Sequence, residues 1–179
     1  ALLEDPAANP FLASFYRDMR RYALPTQLFF LFQRVQQLEA VRQPDLFGQP
    51  IVADFTIAKD PLFARLTLED AEYRLYAKIY DHVRPQAPVP DLVICLQASI
   101  DTLVQRVRKR GNPVEAGIEE DYLRRLSEAY TRYFHDYDAS PLLIVNSDRL
   151  NFVDSTEHLD LLLGRIAAMR GGREFFNRA

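Results

Sequence analysis

The chain has 179 residues, of which 48% are hydrophobic and 26% charged, and its formal net charge at pH 7 is −3. This slight acidity argues against binding nucleic acid or anionic lipid through net charge. The single cysteine, Cys95, excludes a disulfide framework and a cysteine-based zinc site. No apolar run approaches the roughly 18 residues of a membrane span. We therefore expect a cytoplasmic globular protein without nucleic-acid or membrane partners.

Three short apolar runs have the length and β-branched content of buried strands. They lie at residues 51–55, 92–96 and 142–145. Because apolarity is continuous along each run, we predict parallel strands that are covered on both faces. Polar groups follow these strands, and ligands in open α/β sheets bind at strand ends.

Long segments with helical periodicity separate and follow the predicted strands. They cover residues 24–41, 68–83, 100–110, 119–137 and 157–169. The first carries one apolar stripe, formed by Leu24, Leu28, Leu31, Val35 and Leu38. This alternation predicts an α/β fold. With no repeat and no long linker, we expect a single domain over residues 1–179.

Four cations lie within five residues at the end of the third helical segment: Arg106, Arg108, Lys109 and Arg110. One interpretation is a solvated helix end, where cations favour the dipole. The other is a phosphate clamp on a hinged loop, since guanidinium groups neutralise phosphoryl oxygens. The charges alone leave both open.

A collinear series of short segments resembles the deoxynucleoside kinase family, in its bacterial deoxyadenosine and deoxyguanosine kinase branch. The match covers nearly the whole chain. The segments are EDP at 4–6, NPFL at 9–12, TQLFFL at 26–31, DFTIAKDPLFA at 54–64, PDLVICLQA at 90–98, the lid-like region at 106–118 and PLLIVN at 141–146.

The resemblance implies a three-layer P-loop kinase fold, in which helices flank a parallel sheet. It implies transfer of the γ-phosphoryl group of ATP, with Mg²⁺, to the 5′-hydroxyl of a deoxynucleoside. A purine deoxynucleoside, deoxyadenosine or deoxyguanosine, is the expected substrate. The resemblance also implies a homodimer packed through helices and a mobile lid over residues 106–118.

The largest departure from the family is that no G-x-x-x-x-G-K-[ST] motif occurs in these 179 residues. The family carries that phosphate-binding loop upstream of the segment that matches Glu4. We therefore expect the first strand and P-loop to lie in a longer protein. Without them these 179 residues are expected not to transfer phosphoryl groups, since the phosphates lack their cradle.

The resemblance assigns the sugar end of the substrate to three residues. Glu4 matches the carboxylate that accepts the proton of the attacking 5′-hydroxyl. Tyr16 and Glu115 match the pair that binds the 3′-hydroxyl. Such a site discriminates strongly, because its polar groups are left unpaired when the hydroxyl is absent.

Gln27 stands out because it lies on an otherwise apolar helix and offers both donors and an acceptor to a nucleobase edge. The family places a glutamine there for base recognition. Arg34, two turns further along, is placed to reach the base or to support Asp60, and a surface salt bridge is the alternative. Asp60 matches the aspartate that completes the base-binding set. The alternative interpretation is that Lys59, beside it, is only a surface partner of Asp60.

Further residues match the phosphate and donor-nucleotide side of the family. Asp54 resembles a Walker B carboxylate that holds Mg²⁺ through water. Arg106 and Arg110 match lid positions that contact the triphosphate. Asp148 and Phe152 match the loop over the donor adenine.

Two substitutions depart from the family at this end. Phe55 stands where many relatives have arginine, which indicates a branch built differently. Asn112 stands where a further lid arginine is often found.

Two other functions remain open from the sequence. One is a nucleoside-binding or regulatory chain without catalysis. The other is a nucleotide-directed P-loop kinase, which is disfavoured because Tyr16, Gln27 and Asp60 form a neutral-to-acidic set unsuited to an acceptor phosphate. The three histidines, His82, His135 and His158, are scattered singly and are interpreted as structural or surface residues.

Overall fold

The computed structural model describes residues 1–41, 50–84 and 89–177. In chain order these form α1 (Leu12–Arg17), α2 (Met19–Val41), α3 (Lys59–Thr67), α4 (Asp70–Val83), β1 (Val93–Gln97), α5 (Ile100–Arg110), α6 (Glu120–His135), β2 (Leu142–Asn146), α7 (Thr156–Ala168) and β3 (Arg173–Phe176). Two short 3-10 helices, Pro6–Ala8 and Pro113–Gly117, lie among them.

The three strands form one parallel sheet in the order β1-β2-β3. Val93 of β1 lies opposite Leu142 of β2, and Leu142 lies opposite Arg173 of β3. In the central strand, residues 142–145 are all buried. The parallel strands predicted at 92–96 and 142–145 are therefore confirmed to within one residue. The expectation that both faces are covered is met by β2 and is wrong for β1, where Ile94 and Leu96 are exposed.

Helices cover the two faces of the central strand. Leu142 and Ile144 pack on one face with Phe134 of α6 and with Cys95. Leu143 and Val145 pack on the other with Leu150 and with Leu162 of α7. Side chains alternate between faces along a strand, so this division produces the helix–sheet–helix layering that the sequence predicts.

The strand predicted at residues 51–55 is wrong. The side chains of Ile51 and Val52 are 54% and 71% exposed. The run makes one isolated parallel bridge, between Leu2 and Ala53, in which the Leu2 N–H donates to the Val52 carbonyl at 2.7 Å. One bridge to the N-terminal segment does not make a ladder, so an apolar run of strand length is not sufficient for a strand.

The helix predictions hold better, and α5 has the predicted bounds, 100–110. The Ser155 hydroxyl accepts the His158 N–H and so caps the start of α7. The sequence patterns did not predict α1, α3 or β3. In α3, Pro61 lies in the first turn, where its missing N–H costs no helical hydrogen bond.

The chain divides into two compact units. Unit 1 comprises Ala1–Pro88 and Gly111–Glu119, and unit 2 comprises Val89–Arg110 and Glu120–Ala179. The predicted single domain and its lid at 106–118 stay predictions, and the lid residues are shared between the units. Among the described residues, no helix is both long and apolar enough to cross a membrane.

Candidate functional site

The buried face of α2 in unit 1 is unusually polar. Thr26, Gln27 and Arg34 are almost fully buried there beside Leu31 and Val35. Of the predicted apolar stripe, only Leu31 and Val35 are fully buried; Leu24, Leu28 and Leu38 are half-buried. Burying an amide or a guanidinium group is costly unless it is hydrogen-bonded, and both Gln27 and Arg34 have hydrogen-bond partners within unit 1.

Arg34 joins two carboxylates that are far apart in sequence. Its Nη1 donates to Oδ1 of Asp60, at the start of α3, and its Nη2 donates to Oε1 of Glu4. Asp60 is 1% exposed. The sequence left open whether Arg34 supports Asp60 or forms a salt bridge at the surface. In the structure Arg34 pairs with Asp60 in the interior.

Glu4 is held by two further contacts. The Lys59 Nζ donates to its Oε2, and its own backbone N–H donates to Oδ1 of Asp54 at 3.0 Å. Lys59 is only 9% exposed and pairs with Glu4. The interpretation of Lys59 as a surface partner of Asp60 is therefore wrong, because α3 turns this lysine inward beside the N-terminal segment.

Burial perturbs the ionisable groups of this cluster. Burial raises the pKa of Asp60 to about 7, although Arg34 and Lys59 both oppose that rise. Burial also lowers the pKa of Lys59, and the Arg34 charge adds to that lowering, whereas Glu4 opposes it. Perturbed ionisable groups that share a polar interior are typical of functional sites.

Gln27 lies two turns before Arg34 on the same buried face. Its Nε2 donates to the Thr67 hydroxyl at 3.3 Å, and that hydroxyl donates to the Phe63 carbonyl at 2.8 Å. The amide is thus oriented by the last turn of α3.

Tyr16 and Glu115 are on two elements that pack against each other. Tyr16 is on α1, and the half-buried Glu115 is on the 3-10 helix Pro113–Gly117. A Cβ on Gly117 would lie 2.8 Å from the Tyr16 carbonyl oxygen. Asn112 caps this 3-10 helix, since its Oδ1 accepts the Val114 N–H at 3.0 Å. This departure from the family has a local structural role.

Unit 2 contains the arginines and the loop matched to the phosphate donor. The Arg106 guanidinium donates to Oγ and O of Ser147, at 2.9 and 2.5 Å, and to the Leu150 carbonyl at 3.3 Å. The Ser147 hydroxyl in turn donates to the Gln97 carbonyl at 2.8 Å. Arg106 therefore ties α5 to the loop after β2. Arg110 is exposed at the end of α5.

The two residues matched to the donor-base loop also hold that loop in place. Asp148 accepts the Ser99 N–H and hydroxyl at 2.8 and 3.0 Å, and the backbone hydrogen bond from Ser99 lowers the pKa of this carboxyl. Phe152 is half-buried against the cluster of Leu143, Val145, Leu150 and Leu162.

The structure offers no histidine-based metal centre in the part of the chain that it describes. His82 is exposed, the His135 Nδ1 is 2.8 Å from an Asp136 carboxylate oxygen, and the His158 Nδ1 accepts the Asn151 N–H. Within the described ranges no three His, Cys, Asp or Glu side chains cluster as metal ligands.

The fold and the buried polar cluster define an α/β protein with an ionised site in unit 1, and comparisons with known proteins identify the family. The family model of deoxynucleoside kinases matches residues 3–169. The chain therefore belongs to the deoxynucleoside kinase family, whose members are enzymes, and the resemblance stated from the sequence is confirmed.

Two relatives and two solved structures illustrate the match. The deoxyguanosine kinase of Bacillus subtilis is 36% identical over 81% of this chain and 72% of its own length. The deoxyadenosine kinase of Lactobacillus acidophilus is 29% identical over 86% and 76%. Structures of M. mycoides deoxyadenosine kinase, with the products dCMP and dCDP or with dATP bound, match with TM-scores of 0.79 and 0.76. The first is 23% identical to this chain, and the match covers 94% of this chain and 87% of that one. The second is 24% identical, and the match covers 92% and 84%. The predicted P-loop kinase fold is thereby confirmed.

Proposed function

We propose that this protein transfers the γ-phosphoryl group of ATP to the 5′-hydroxyl of deoxyadenosine or deoxyguanosine. The observation that carries the proposal is the buried cluster of Glu4, Arg34, Lys59 and Asp60, with Gln27 on the same helix face. These charges balance as two carboxylates and two cations. A site of this kind suits an uncharged sugar-base compound better than an acceptor that already carries a phosphate.

In the proposed reaction, Glu4 is the base. The 5′-hydroxyl oxygen forms a bond to the γ-phosphorus, its proton passes to a Glu4 oxygen, and ADP leaves with the electrons of the broken P–O bond. Both Glu4 oxygens accept bonds in the structure, one from Arg34 and one from Lys59. The substrate hydroxyl therefore has to displace or share one of these bonds. Phosphoryl transfer depends mainly on such positioning and on neutralising charge.

The base of the substrate is assigned to Gln27, Arg34 and Asp60, and the 3′-hydroxyl to Tyr16 and Glu115. Gln27 offers a donor and an acceptor to a purine edge. The purine preference is supported by the names of the two relatives above, a deoxyguanosine kinase and a deoxyadenosine kinase.

For the phosphate donor, we assign Arg106 and Arg110 to the triphosphate and the loop of Asp148 and Phe152 to its adenine. Arg106 would exchange its bonds to Ser147 and Leu150 for phosphate oxygens. Asp54 fits a Mg²⁺ ion held through water, because its carboxylate is exposed and retains acceptor capacity beyond the bond from Glu4. Mg²⁺, when bound, neutralises charge on the triphosphate.

The proposal includes a homodimer packed through helices, as in the family. Phe32 of α2 is 46% exposed, which supports a helix surface available for such packing. Light scattering on the peak that elutes from a gel-filtration column measures the molar mass of the protein and so tests whether it is a dimer.

The decisive experiment assays the full-length gene product with ATP and each of the four deoxynucleosides. We expect 5′-monophosphate from deoxyadenosine or deoxyguanosine, with a kcat/KM above those for deoxycytidine and thymidine. Calorimetry with the same nucleosides provides the control. Binding without any monophosphate would contradict the kinase proposal and favour the nucleoside-binding alternative, and phosphorylation of a nucleoside monophosphate would favour the nucleotide kinase.

A further inference from the structure

Lys59 is the feature of unit 1 that the proposed mechanism leaves unexplained. Its side chain is buried at the start of α3, and its Nζ donates to Oε2 of Glu4. Arg34 already connects Glu4 with Asp60 through two different nitrogens. A second cation is therefore not needed to link these carboxylates.

Burying an ammonium group is costly, and a buried ion pair is weak evidence for stability. The ammonium is a strongly hydrated point charge, so its desolvation is offset only by close pairing. Lys59 directs its charge at Oε2 of Glu4, the oxygen of that carboxylate that Arg34 does not contact. The side chain of Phe55 is uncharged, so it supplies no further cation to the segment that contains Lys59.

The three contacts that hold Glu4 come from three different segments of unit 1. Arg34 fixes Oε1 from α2, Lys59 fixes Oε2 from α3, and Asp54 fixes the backbone N–H. A carboxylate held at both oxygens has a defined plane and cannot rotate. Orientation of this kind determines whether a base meets the hydroxyl proton in a productive geometry.

We propose that Lys59 is a positioning residue for phosphoryl transfer, whose ammonium holds Oε2 of Glu4 and so fixes the carboxylate that receives the 5′-hydroxyl proton. This inference rests on the proposed role of Glu4 as the base. It gives Lys59 a role in turnover and not in base recognition, which belongs to Gln27, Arg34 and Asp60.

The first test compares Lys59→Met with Lys59→Arg in the full-length gene product. Lys59→Met keeps the length of the stem and removes the charge, and we expect kcat for deoxyadenosine to fall about 10²-fold. Deoxyadenosine binding, measured by calorimetry, should change by less than about 3-fold. Lys59→Arg should recover most of kcat. The matched control is Lys78→Met, at an exposed lysine of α4, which should leave kcat and binding unchanged.

The second test is the alkaline side of the pH profile of kcat. Burial lowers the pKa of Lys59, so its ammonium loses its proton at a lower pH than an ordinary lysine and turnover should decline there. Lys59→Arg keeps its charge, so its decline should move to higher pH. The charged groups facing Lys59 are Glu4, Arg34 and Asp60, and burial raises the pKa of Asp60 to about 7, below the alkaline range. Burial raises the pKa values of Tyr76 and Tyr80 of α4, which interact with Asp60, so they do not produce this decline.

The outcomes separate this proposal from the one on which it rests. If Lys59→Met keeps the wild-type kcat, or if Lys59→Arg leaves the alkaline decline in place, Lys59 is not a positioning residue. A purely structural lysine would lower thermal stability, nucleoside binding and kcat together. If Lys59→Met does not fold, the Lys59→Arg profile alone decides. If the wild-type protein phosphorylates no deoxynucleoside, or if Glu4→Gln retains turnover, the proposed function itself has failed.

Discussion

At the scale of single residues, Glu4 is notable because three separated segments determine its position. Its backbone N–H is bound by Asp54, and its two carboxylate oxygens are bound by Arg34 and Lys59. A glutamate side chain is ordinarily solvated, yet this one is only 16% exposed. Such a cluster is costly to build and is expected where ionised groups must face a substrate.

Glu4→Gln should reduce turnover while leaving deoxynucleoside binding largely intact. The amide keeps an acceptor oxygen but cannot take up the hydroxyl proton, so we expect kcat to fall roughly 10²-fold. Calorimetry and a steady-state assay on the same preparation measure the two effects. Asp5→Asn is the neighbouring control, since an asparagine oxygen can still cap the 3-10 helix Pro6–Ala8. Unchanged turnover in Glu4→Gln would remove Glu4 from its assigned role.

Gln27→Leu should weaken binding of the base by roughly 1 to 3 kcal/mol, because the base edge loses its partner inside a buried site. Calorimetry with deoxyadenosine and with deoxycytidine measures the loss. Thr67→Val is the matched control, since it removes only the hydroxyl that holds the amide at 3.3 Å. If Gln27→Leu weakens both nucleosides equally, and Thr67→Val does the same, the amide is only structural.

The sequence predicted which residues of unit 1 lie near each other more successfully than it predicted which of them are buried and which atoms pair. The neighbourhood of Arg34 and Asp60 follows from the resemblance, but the burial of Lys59 does not. A lysine beside an aspartate is most often on the surface. The sequence does contain one signal, since Ile57, Ala58, Leu62 and Phe63 surround Lys59 with apolar neighbours. Whether α3 turns the lysine inward depends on tertiary packing, which no local pattern contains.

At the scale of elements, sequence patterns predicted α5 and β2 but missed α1, α3 and β3. Burial does not separate the two groups, since α5 has no fully buried residue whereas α1 buries Leu12 and Phe15. Helix α5 and strand β2 have strong hydrophobic patterns, and residues that end a helix or strand mark their boundaries clearly. Strand β3 was not predicted because its four residues begin with Arg173 and Glu174 and do not form an apolar run. Residues 51–55 have the run but find their partner in a single bridge. Strand formation requires a neighbouring strand, which a one-dimensional pattern does not show.

The close approach of Gly117 to α1 gives a prediction about the sugar end of the site. Gly117→Ala would place a Cβ 2.8 Å from the Tyr16 carbonyl oxygen, and backbone atoms cannot yield cheaply. We expect a loss of about 1 to 3 kcal/mol in the free energy of unfolding. Deoxynucleoside binding should weaken as well, because Glu115 and Tyr16 are carried by the two elements that are forced apart. Urea denaturation and calorimetry measure the two effects.

Gly164→Ala is the control of opposite sign. Gly164 lies in α7, and a methyl group added there would meet nothing within 4 Å, so alanine should stabilise the protein by about 0.5 to 1 kcal/mol. Nucleoside binding should be unchanged. A Gly117→Ala protein with normal stability and normal binding would show that α1 and the 3-10 helix do not need this contact.

At the scale of the whole molecule, the residues assigned to the nucleoside belong to unit 1, whereas the arginines and the loop assigned to the phosphate donor belong to unit 2; Asp54, assigned to Mg²⁺, is in unit 1. Glu4, Tyr16, Gln27, Asp60 and Glu115 are in unit 1. Arg106, Arg110, Asp148 and Phe152 are in unit 2, where the sheet and its two helix layers form the core. Nucleoside binding is therefore expected to depend on unit 1 residues, and ATP binding on unit 2 residues.

Cys95 is the single cysteine of the chain and reports on the integrity of the sheet. It is buried on β1, and burial raises the pKa of its thiol to about 11. Because the thiolate is the reactive form, alkylation by iodoacetamide should be more than about 10-fold slower in the folded protein than in urea. Mass spectrometry follows the labelling. Equal rates in both states would mean that β1 opens freely.

The same thiol contributes a pH dependence to stability whose sign follows from proton linkage. In the unfolded chain the thiol has its ordinary pKa of 9.0, and in the folded protein burial raises this pKa to about 11. Between these values the unfolded state has lost the proton that the folded state keeps. The thiol's contribution is therefore fully present below pH 9, and the free energy of unfolding falls as the pH rises towards 11. Cys95→Ala lacks this thiol, so its free energy of unfolding, measured by urea denaturation, should decline less steeply at alkaline pH. The tyrosines and lysines are common to both proteins, so the difference isolates the thiol. Parallel declines in the two proteins would show that the environment of Cys95 does not disfavour its thiolate.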